Sequence, residues 1–598
     1  MIVRKQQFNY QLRVLGYYTY KMYIYIQILC KDMQKRWVLK PKNISSKVDN
    51  LKLELGVNDI IANLLVSRNI EDFDQARIFF RPALESLHDP FLMKDMDKAI
   101  SRIEKAIGNN EKILIYGDYD VDGTTAVSVV YSFFRAFHTK VEFYIPDRYA
   151  EGYGISTQGI DYAAANDISL IIALDCGIKS LDKIDYANEK GIDFIIGDHH
   201  LPGDEIPNAV AVLDPKRNDC EYPYKELSGC GIGFKIIQAF ILKNGMNMDE
   251  AYQYLDLVAV SIASDIVPIT GENRILTHFG LKKLNTNPSI GLKALIDLSS
   301  NRSGVFSVND IVFQIGPRIN AAGRIKHAKD AVNLLISKSA DEAKDFSSAV
   351  DDQNNVRKDF DLNITKEALS IIENCEINQQ RKSTVLYKKD WHKGVIGIVA
   401  SRLTEKYYRP TVILTHTNGH IAGSARSVIG FDLYEALSEC SDLLDQFGGH
   451  KYAAGLTMRE ENIPLFQQKF EDVVQRTIKP EMLQQEVSID IEIDLKDIDA
   501  KMYRIMKQFE PLGPQNEAPI FMSKNVKVQG ASYIVGSNHL KLTLFQEGSP
   551  SFDAIAFGLA EHANYINSHK PFDICYSIDE NNWRGKKTLQ LNIKAIRY

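Results

Sequence analysis

Between Lys112 and about Asp214 the sequence alternates strand-like runs with helix-like stretches, and this pattern constrains the fold most strongly. The short apolar runs, rich in β-branched residues, are KILIYG, VEFYIP, SLIIALD, DFIIGD and AVAVLD. The stretches that carry apolar residues at helical spacing include TTAVSVVYSFFRAF and KSLDKIDYANEK. A repeated order of strand, helix and strand predicts an α/β fold, in which helices cover both faces of a parallel sheet.

The rest of the chain divides by pattern into further regions. A charged, helix-patterned stretch leads into a second α/β unit, and after Pro480 short alternating runs predict a small barrel or sandwich. The predicted regions are a helical segment that packs on the first sheet (33–107), the first α/β domain (108–327), long connecting helices (328–376), the second α/β domain (377–479) and an all-β domain (480–598).

Composition excludes several classes of protein. The 598 residues carry 71 Lys and Arg against 77 Asp and Glu, a formal net charge of −6. This balance excludes a uniformly basic coat for nucleic acid, although a local basic groove remains compatible with it. The seven cysteines are scattered, which favours a reduced, cytoplasmic compartment. They include no C-x-x-C pair, which argues against a zinc ribbon. No apolar run reaches the ~20 residues of a membrane span.

Residues 1–32 are unusually rich in Tyr and Ile and are too polar for the core of a signal peptide. Two interpretations are open: an amphipathic surface anchor, or upstream sequence translated from an early start codon. We favour the second, in which the native chain begins near Met33.

The segment GDYDVDG places three carboxylates, those of Asp118, Asp120 and Asp122, between a strand and a helix. Neighbouring carboxylates repel one another, so a fold tolerates them in solvent or around cations. A solvated loop would have no chemical role. These residues, however, follow the carboxyl end of a strand, where open α/β sheets hold ligands.

Other acidic and imidazole side chains occupy similar places. Asp175 ends the run SLIIALD, Asp198 ends DFIIGD and is followed by His199 and His200, and Asp265 follows the apolar helix LDLVAVSIAS. Any one of them could be a turn or cap residue. Their repetition at neighbouring strand ends predicts a shared site.

Such a site predicts metal-dependent chemistry. Oxygen ligands with one or two imidazoles and no thiolate suit Mn²⁺ or Mg²⁺ better than zinc. We expect two ions with Asp175 as the bridging carboxylate, an arrangement that hydrolyses phosphoesters.

Four ordered motifs, GDYDVDG, DCG, GDHH and SIASDIVPI, resemble those of the DHH phosphoesterase family. The further motifs IPDRYAEGYG, FQIGPRINAAGR, WHKGVIGIVASRL, SARS and FGGHKYAAG are similar to a bacterial branch of exonucleases that degrade single-stranded DNA from the 5′ end. The resemblance runs from about Met33 to the C-terminus. It implies processive release of mononucleotides in DNA repair and recombination, and a C-terminal OB-fold barrel.

The resemblance also implies a set of site residues. The metal ligands would be Asp120, Asp122, Asp175, His199 and Asp265, with Asp118 beside them and His200 facing the scissile phosphate. Two positions depart from the family pattern. Tyr116 stands where some relatives have a metal-binding His, and PLGPQNEAPIF lacks the second glycine expected in PFGxGN.

The candidate DNA contacts form four groups. Gly448, Gly449 and His450 in GGHKYAAG can present N–H groups to an anion, although a tight turn before a helix would explain them equally well without the family context. The resemblance makes Arg148, Ser424 and Arg426 candidates for a 5′-phosphate pocket. It makes Arg318, Asn320 and Arg324 candidate contacts to the DNA backbone. The last group is the basic C-terminal stretch with Trp583, whose ring could stack on a base.

The expected partners are single-stranded DNA, a single-strand-binding protein and a helicase, and the expected state is a cytoplasmic monomer without a membrane. Two rival functions remain: a small-substrate phosphodiesterase of the same family, and a DNA-binding scaffold that has lost its metals. The long connector and the C-terminal barrel argue against the first, and the complete set of acidic and His residues argues against the second.

Overall fold

The computed structural model describes residues 35–299, 304–417, 419–583 and 586–598. The predicted extension of residues 1–32 and the side chain of Trp583 lie outside the described part. The chain divides into two compact units. Unit A comprises residues 43–359 and 500–518, and unit B comprises the described residues up to 42 together with 360–499 and 519–598.

The strands follow one another in this order: β1 Arg36–Leu39, β2 Lys112–Gly117, β3 Val141–Tyr144, β4 Ile168–Leu174, β5 Asp193–Gly197, β6 Ala211–Leu213, β7 Thr384–Tyr387, β8 Thr411–Thr417, β9 His420–Arg426, β10 Gln446–His450, β11 Ala453–Met458, β12 Glu486–Ile489, β13 Ile491–Glu492, β14 Phe521–Val528, β15 Tyr533–Val535, β16 His539–Phe545, β17 Phe552–Ala556, β18 Phe572–Trp583 and β19 Lys586–Arg597.

The α-helices are α1 Ser45–Leu55, α2 Asp59–Val66, α3 Phe73–Phe80, α4 Met96–Gly108, α5 Val121–Arg135, α6 Thr157–Ala165, α7 Leu181–Glu189, α8 Gly229–Asn244, α9 Asp249–Tyr252, α10 Leu255–Ser264, α11 Gly271–Thr286, α12 Ile290–Asp297, α13 Val308–Asp310, α14 Gly316–Ile325, α15 Lys329–Leu335, α16 Ala340–Glu373, α17 Glu376–Gln380, α18 Ile396–Tyr407, α19 Leu433–Ser438, α20 Ile463–Thr477, α21 Ala500–Lys507 and α22 Ala563–Ile566. A π-helix, Ile311–Ile315, separates α13 from α14. None of the described helices is long and apolar enough to cross a membrane.

The sheet of unit A is parallel throughout and has the order β3-β2-β4-β5-β6. Alternate residues of its strands are buried on opposite faces, Ile113 and Ile115 in one core and Leu114 and Tyr116 in another. Helices therefore cover both faces, and the predicted doubly covered parallel sheet is confirmed. The chain places β3 on one side of β2 and β4 on the other, which makes the crevice beyond β2 and β4 a topological switch point where such sheets bind ligands.

Residues 500–518 belong to unit A although they lie between strands of the barrel in sequence. The buried side chain of Arg274, on α11, donates hydrogen bonds of 2.7–3.2 Å to four carbonyl oxygens of this segment, those of Gln508, Phe509, Glu510 and Pro511. The N–H of Ile269 donates to the carbonyl of Pro514 at 2.8 Å. A Cβ at Gly513 would lie 2.5 Å from Ile269, so only glycine fits there.

Unit B contains the second α/β sheet, with the order β10-β11-β9-β8-β7. Strands β7 and β8 are parallel and the remaining pairs are antiparallel. One face packs on α18 and on the C-terminal half of the 34-residue helix α16, and the other face packs on α20. The mixed α/β class predicted for this region is confirmed.

The C-terminal strands close into a barrel. Strand β14 pairs with β16 and with β18, β16 pairs with β17, β17 runs parallel to β19, and β19 pairs with β18. This five-stranded closure is that of an OB-fold, as expected. Strand β1 runs parallel to β12, and Trp37 on β1 packs against the buried cluster that includes Met522 and Cys575.

Candidate metal centre

The loop after β2 is shaped by its acidic residues. Asp118 is buried at the end of the strand, and Asp120 caps α5 by accepting a hydrogen bond of 3.0 Å from the N–H of Gly123. A Cβ at Gly123 would lie 2.4 Å from the carbonyl oxygen of Asp118, so the loop closes this tightly only with glycine. The capped turn places Asp122 in the first turn of α5, facing inward.

Asp122 is fixed by residues more than 100 positions away in sequence. Its Oδ2 accepts from the N–H of Gly229 at 2.6 Å, and its Oδ1 accepts from the N–H of Cys230 at 2.8 Å and from the hydroxyl of Ser261 at 2.6 Å. The two N–H groups open α8, so the positive end of that helix also stabilises the carboxylate. Sequence reasoning missed these three residues. The glycine-rich helix start SGCGIG was the available signal.

Asp175 and His199 meet at the switch point. Asp175 has a φ of +59°, a left-handed conformation that turns its side chain into the crevice. The Nε2 of His199 lies 3.2 Å from Oδ1 of Asp175, 3.6 Å from Oδ2 of Asp265 and 3.7 Å from Oδ2 of Asp122. Carboxylates from the first turn of α5, the end of β4 and the end of α10 therefore converge on one imidazole nitrogen.

Asp198 has a different task from its neighbours. Its carboxylate accepts from the N–H groups of Ile178, His199 and His200 and from Nδ1 of His200 at 2.7 Å. Burial alone would raise the pKa of Asp198, but the hydrogen bond and charge of His200 lower it to about 2. Asp198 therefore orients the two histidines, a role that sequence reasoning did not assign.

His200 is held as an imidazolium beside this cluster. Burial would lower the pKa of His200, but the hydrogen bond to Asp198 and its charge raise it to about 9. The other ring nitrogen, Nε2, lies 3.1 Å from the hydroxyl of Tyr153. The imidazolium can therefore offer a hydrogen-bond donor at neutral pH.

The clustered carboxylates suppress one another's ionisation. Burial, and then the charge of a neighbouring aspartate, raises the pKa of Asp118, Asp120 and Asp175 above the usual range. Burial and the charges of Asp122 and Asp120 raise the pKa of Asp265 to about 8. Without a cation the cluster is electrostatically unfavourable.

The donor set fits a divalent cation. Oδ1 of Asp175 and both ring nitrogens of His199 are buried and have no hydrogen-bond partner among the described residues. The two groups of potential ligands found in the described chain combine Asp175 with His199 and His200, and Asp122 with His199 and Asp265. Neither group contains a thiol, and carboxylates with imidazole suit Mn²⁺ or Mg²⁺.

Two residues near the cluster were singled out from sequence. The hydroxyl of Tyr116 donates to the carbonyl of Gly154 at 2.9 Å and accepts from the N–H of Ser156 at 3.1 Å, so its side chain supports the following loop. The guanidinium of Arg148 lies 4.7 Å from the ring centre of Tyr119, and its charge acts on Asp118.

Three candidate DNA contacts lie on α14. Arg318 is ion-paired with Asp351 of α16 at 2.7 Å and donates to the carbonyl of Gln314, so it joins two helices of unit A. Asn320 and Arg324 lie one helical turn apart, and the hydroxyl of Tyr149 donates to the carbonyl of Arg324. The structure thus gives Arg318 a structural task.

The remaining candidates lie in unit B. Arg426 donates to the hydroxyl of Ser424 at 3.1 Å on strand β9. The segment Gly448–His450 is the exposed edge strand β10, paired antiparallel with β11, and does not form a turn before a helix. The structure places Arg148 in the other unit.

Comparison with known proteins agrees with this architecture. Residues 112–262 match the DHH family, N-terminal domain, residues 380–476 match the DHHA1 domain, and residues 489–595 match the RecJ OB domain. The single-stranded-DNA-specific exonuclease RecJ of Bacillus subtilis strain 168 is 37% identical over 563 residues, covering 94% of this chain and 70% of that protein. The single-stranded-DNA-specific exonuclease RecJ of Escherichia coli K12 is 31% identical over 526 residues, covering 84% of this chain and 90% of that protein.

A solved structure, RecJ in complex with Mn²⁺ from Thermus thermophilus, matches with a TM-score of 0.81 and 25% identity, covering 94% of this chain and 79% of that one. The parallel sheet and its acidic crevice thus define a phosphoesterase of the DHH class, a hydrolase that acts on DNA. Within that class, the chain belongs to the RecJ family of single-stranded-DNA-specific exonucleases.

Proposed function

We propose that this chain is a Mn²⁺- or Mg²⁺-dependent exonuclease that hydrolyses single-stranded DNA from the 5′ end to mononucleotides. The observation that carries the proposal is the convergence of Asp122, Asp175 and Asp265 on Nε2 of His199. RecJ structures containing Mn²⁺ and Mg²⁺ support these two ions as the cofactors.

The proposed ligands are the five residues Asp120, Asp122, Asp175, His199 and Asp265, with Asp118 beside them. When bound, such ions activate water and neutralise charge on the phosphate. The chain itself contributes the imidazolium of His200, which Asp198 orients through Nδ1. A charged N–H donor of this kind would stabilise the negative charge that develops on the phosphate oxygens.

Polarity requires a separate recognition of the strand end, because metal ions do not distinguish the 5′ end from the 3′ end. For this role we propose Arg148, Ser424 and Arg426. The guanidinium groups of the two arginines can bind a phosphate bidentately, and the hydroxyl of Ser424 can donate a hydrogen bond to it. Arg318, Asn320, Arg324, the segment Gly448–His450 and Trp583 are the proposed contacts to the rest of the strand, and the ion pair of Arg318 with Asp351 would hold its guanidinium in place.

We further propose that the protein works as a cytoplasmic monomer in DNA repair and recombination. Its single-stranded substrate would be produced by a helicase and covered by a single-strand-binding protein. Co-purification and light scattering would test these partners and the monomeric state.

The catalytic proposal is tested with single strands labelled at either the 5′ or the 3′ end. With Mn²⁺, a 5′ label is expected to appear at once as mononucleotide, whereas a 3′ label first appears in progressively shorter strands. EDTA should abolish both patterns. Release of a 3′ label as the first product would reverse the proposed polarity, and the absence of metal-dependent cleavage would reject the enzyme.

A further inference from the structure

The guanidinium of Arg148 is held by an aromatic ring and not by hydrogen bonds. Its central carbon lies over the ring of Tyr119, 4.7 Å from the ring centroid. Within the described part of the chain, Arg148 forms no hydrogen bond and no ion pair. Its N–H donors are therefore available to a ligand.

Tyr119 stands in the loop that leads to the proposed metal ligands. It lies between Asp118 and Asp120, after β2 and before α5, and we call residues 118–120 the metal loop. Helix α14 packs directly on its backbone, since a Cβ at Gly323 would lie 2.6 Å from the carbonyl oxygen of Tyr119. The ring of Tyr153 meets that of Tyr119 edge-on, with 6.2 Å between centroids. These contacts fix the ring of Tyr119 relative to the metal loop.

The backbone that carries Arg148 is fixed by its own turn. The carboxylate of Asp147 accepts hydrogen bonds of 2.8 Å from the two backbone N–H groups that follow Arg148 in sequence. The N–H of Asp147 donates to Oε1 of Glu151 at 2.7 Å. The acids nearest in sequence are thus used by the turn, and the ring of Tyr119 is the contact that orients the Arg148 side chain.

An aromatic ring is a suitable support for an arginine that binds a phosphate. A cation–π contact attracts the guanidinium to the face of the ring and uses none of its N–H donors. Bidentate binding of a phosphate requires two of those donors. A carboxylate partner, by contrast, occupies N–H groups and offsets the positive charge. The ring of Tyr119 can therefore orient Arg148 without competing with a phosphate.

We propose that Tyr119 is a positioning residue for recognition of the strand end, because its ring holds the guanidinium of Arg148 ready for the 5′-phosphate. This inference rests on the proposed function, in which Arg148 binds the terminal phosphate. It adds that the metal loop also places the end sensor, so that one loop sets the position of the terminal phosphate relative to the metal centre. Tyr119 acts through Arg148 and does not itself bind the phosphate.

The test compares a 5′-phosphorylated and a 5′-hydroxyl strand of the same sequence in Mn²⁺. The quantity measured is the preference, the ratio of kcat/KM for the two strands, in which an effect common to both strands cancels. The variants are Tyr119→Leu, which removes the π-face, and Tyr119→Phe, which keeps it. The matched control is Tyr131→Leu, because Tyr131 is another partly buried tyrosine of the same core, whose ring contacts Phe143.

Tyr119→Leu is expected to lower the preference for the phosphorylated strand by about 2- to 30-fold, the range of a cation–π contact. Tyr119→Phe should keep the wild-type preference, because the hydroxyl of Tyr119 has no hydrogen-bond partner among the described residues. Tyr131→Leu should also keep it. In an Arg148→Ala background, Tyr119→Leu should change the preference no further, because the ring then has no guanidinium to hold.

A second series covers the case in which Tyr119→Leu does not fold. Phenylalanines with increasing numbers of ring fluorines in place of Tyr119 weaken the negative face of the ring with little change in shape. The preference should fall with each added fluorine. A preference that does not change across this series would overturn the inference.

The outcomes separate this inference from the proposed function. If the wild type prefers the phosphorylated strand and Tyr119→Leu keeps the full preference, Tyr119 does not position the end sensor and the exonuclease proposal stands. An equal loss of preference in Tyr131→Leu would show general loosening of unit A and would also overturn the inference. A wild type that cleaves both strands equally well would reject Arg148 as the end sensor together with Tyr119. The absence of metal-dependent cleavage would reject the proposed function itself.

Discussion

The hydroxyl of Ser261 donates a hydrogen bond of 2.6 Å to Oδ1 of Asp122, across 139 positions of sequence. The same hydroxyl lies 2.6 Å from that of Ser228, which caps α8. Ser261 therefore links a proposed metal ligand to α8, the helix whose first two N–H groups bind the same carboxylate.

We predict that Ser261→Ala lowers Mn²⁺ affinity by about 10- to 100-fold, because groups that orient a metal ligand have effects of this size. Titrating nuclease activity with Mn²⁺ should show a curve displaced to higher concentrations with most of the maximal rate recovered. The matched control is Ser128→Ala, another buried serine of unit A, whose hydroxyl bonds within its own helix to Thr124. Equal displacement by both variants would indicate general loosening of the fold.

The acidic cluster makes metal binding dependent on pH. Asp265 has a pKa of about 8, raised from 3.8 by burial and by Asp122 and Asp120. The native metal-free protein therefore binds a proton here that the unfolded chain has lost, so this group makes stability fall as pH rises from about 4 to 8. A ligand carboxylate must be deprotonated, and Mn²⁺ binding at pH 7 should release protons. Calorimetry in buffers of different ionisation enthalpy measures this release, which should shrink above pH 8.

We predict that Asp175→Asn abolishes cleavage but leaves the protein folded. Asparagine tolerates the left-handed backbone at this position, whereas alanine would add strain. Burial and like charges raise the pKa of Asp175, so the neutral side chain should raise the melting temperature of the metal-free protein at pH 8. Cleavage should be lost. A variant that cleaves at the wild-type rate would contradict the role of Asp175, and the exposed change Asp182→Asn serves as the control.

The position of the missing glycine in PLGPQNEAPIF is Gln515, which has a φ of +60°. A left-handed backbone destabilises the folded state by about 1–2 kcal/mol for a residue with a Cβ, and glycine removes this strain. Glycine also makes the unfolded chain more flexible, which offsets part of the gain in stability. Gln515→Gly should therefore raise the free energy of unfolding by about 0.5–1 kcal/mol in denaturant titrations. Gln468→Gly, in the middle of helix α20, should change it by a similar amount in the opposite direction.

Arg426→Ala tests recognition of the strand end. A charge-assisted hydrogen bond contributes roughly 1.5–3 kcal/mol, so the wild type should prefer a 5′-phosphorylated strand over a 5′-hydroxyl strand by about 10- to 100-fold. The variant should lose most of that preference. Arg459→Ala, which removes a 70% exposed arginine of unit B, should keep it. If both variants retain the preference, the end is recognised elsewhere.

The sequence was sufficient for the parts of the site that follow from local rules. Parallel strands end at one edge of a sheet, so Asp118, Asp175 and His199 could be brought together from the strand pattern alone. The same reasoning could not identify Ser261 or the N–H of Gly229, because these contacts depend on how α8 and α10 pack, which no local pattern encodes.

Other contacts that the sequence could not identify have the same origin. The ion pair of Arg318 joins it to Asp351, which lies 33 positions away on another helix. The segment Gly448–His450 is an edge strand paired with β11, so the alternative of a tight turn before a helix, which its glycines left open, is not found.

Segment 500–518 limits how the C-terminal barrel can be exchanged between relatives. The segment supplies Phe509, which packs edge-on against Phe79 at 5.3 Å between ring centroids, and its carbonyl groups satisfy the guanidinium of Arg274. A chimaera that takes its barrel from a relative at residue 480 also replaces this part of the core of unit A. Barrels can therefore be exchanged between relatives only when Phe79, Arg274 and Ile269 are inherited with them, which ties the evolution of the barrel to that of the nuclease core.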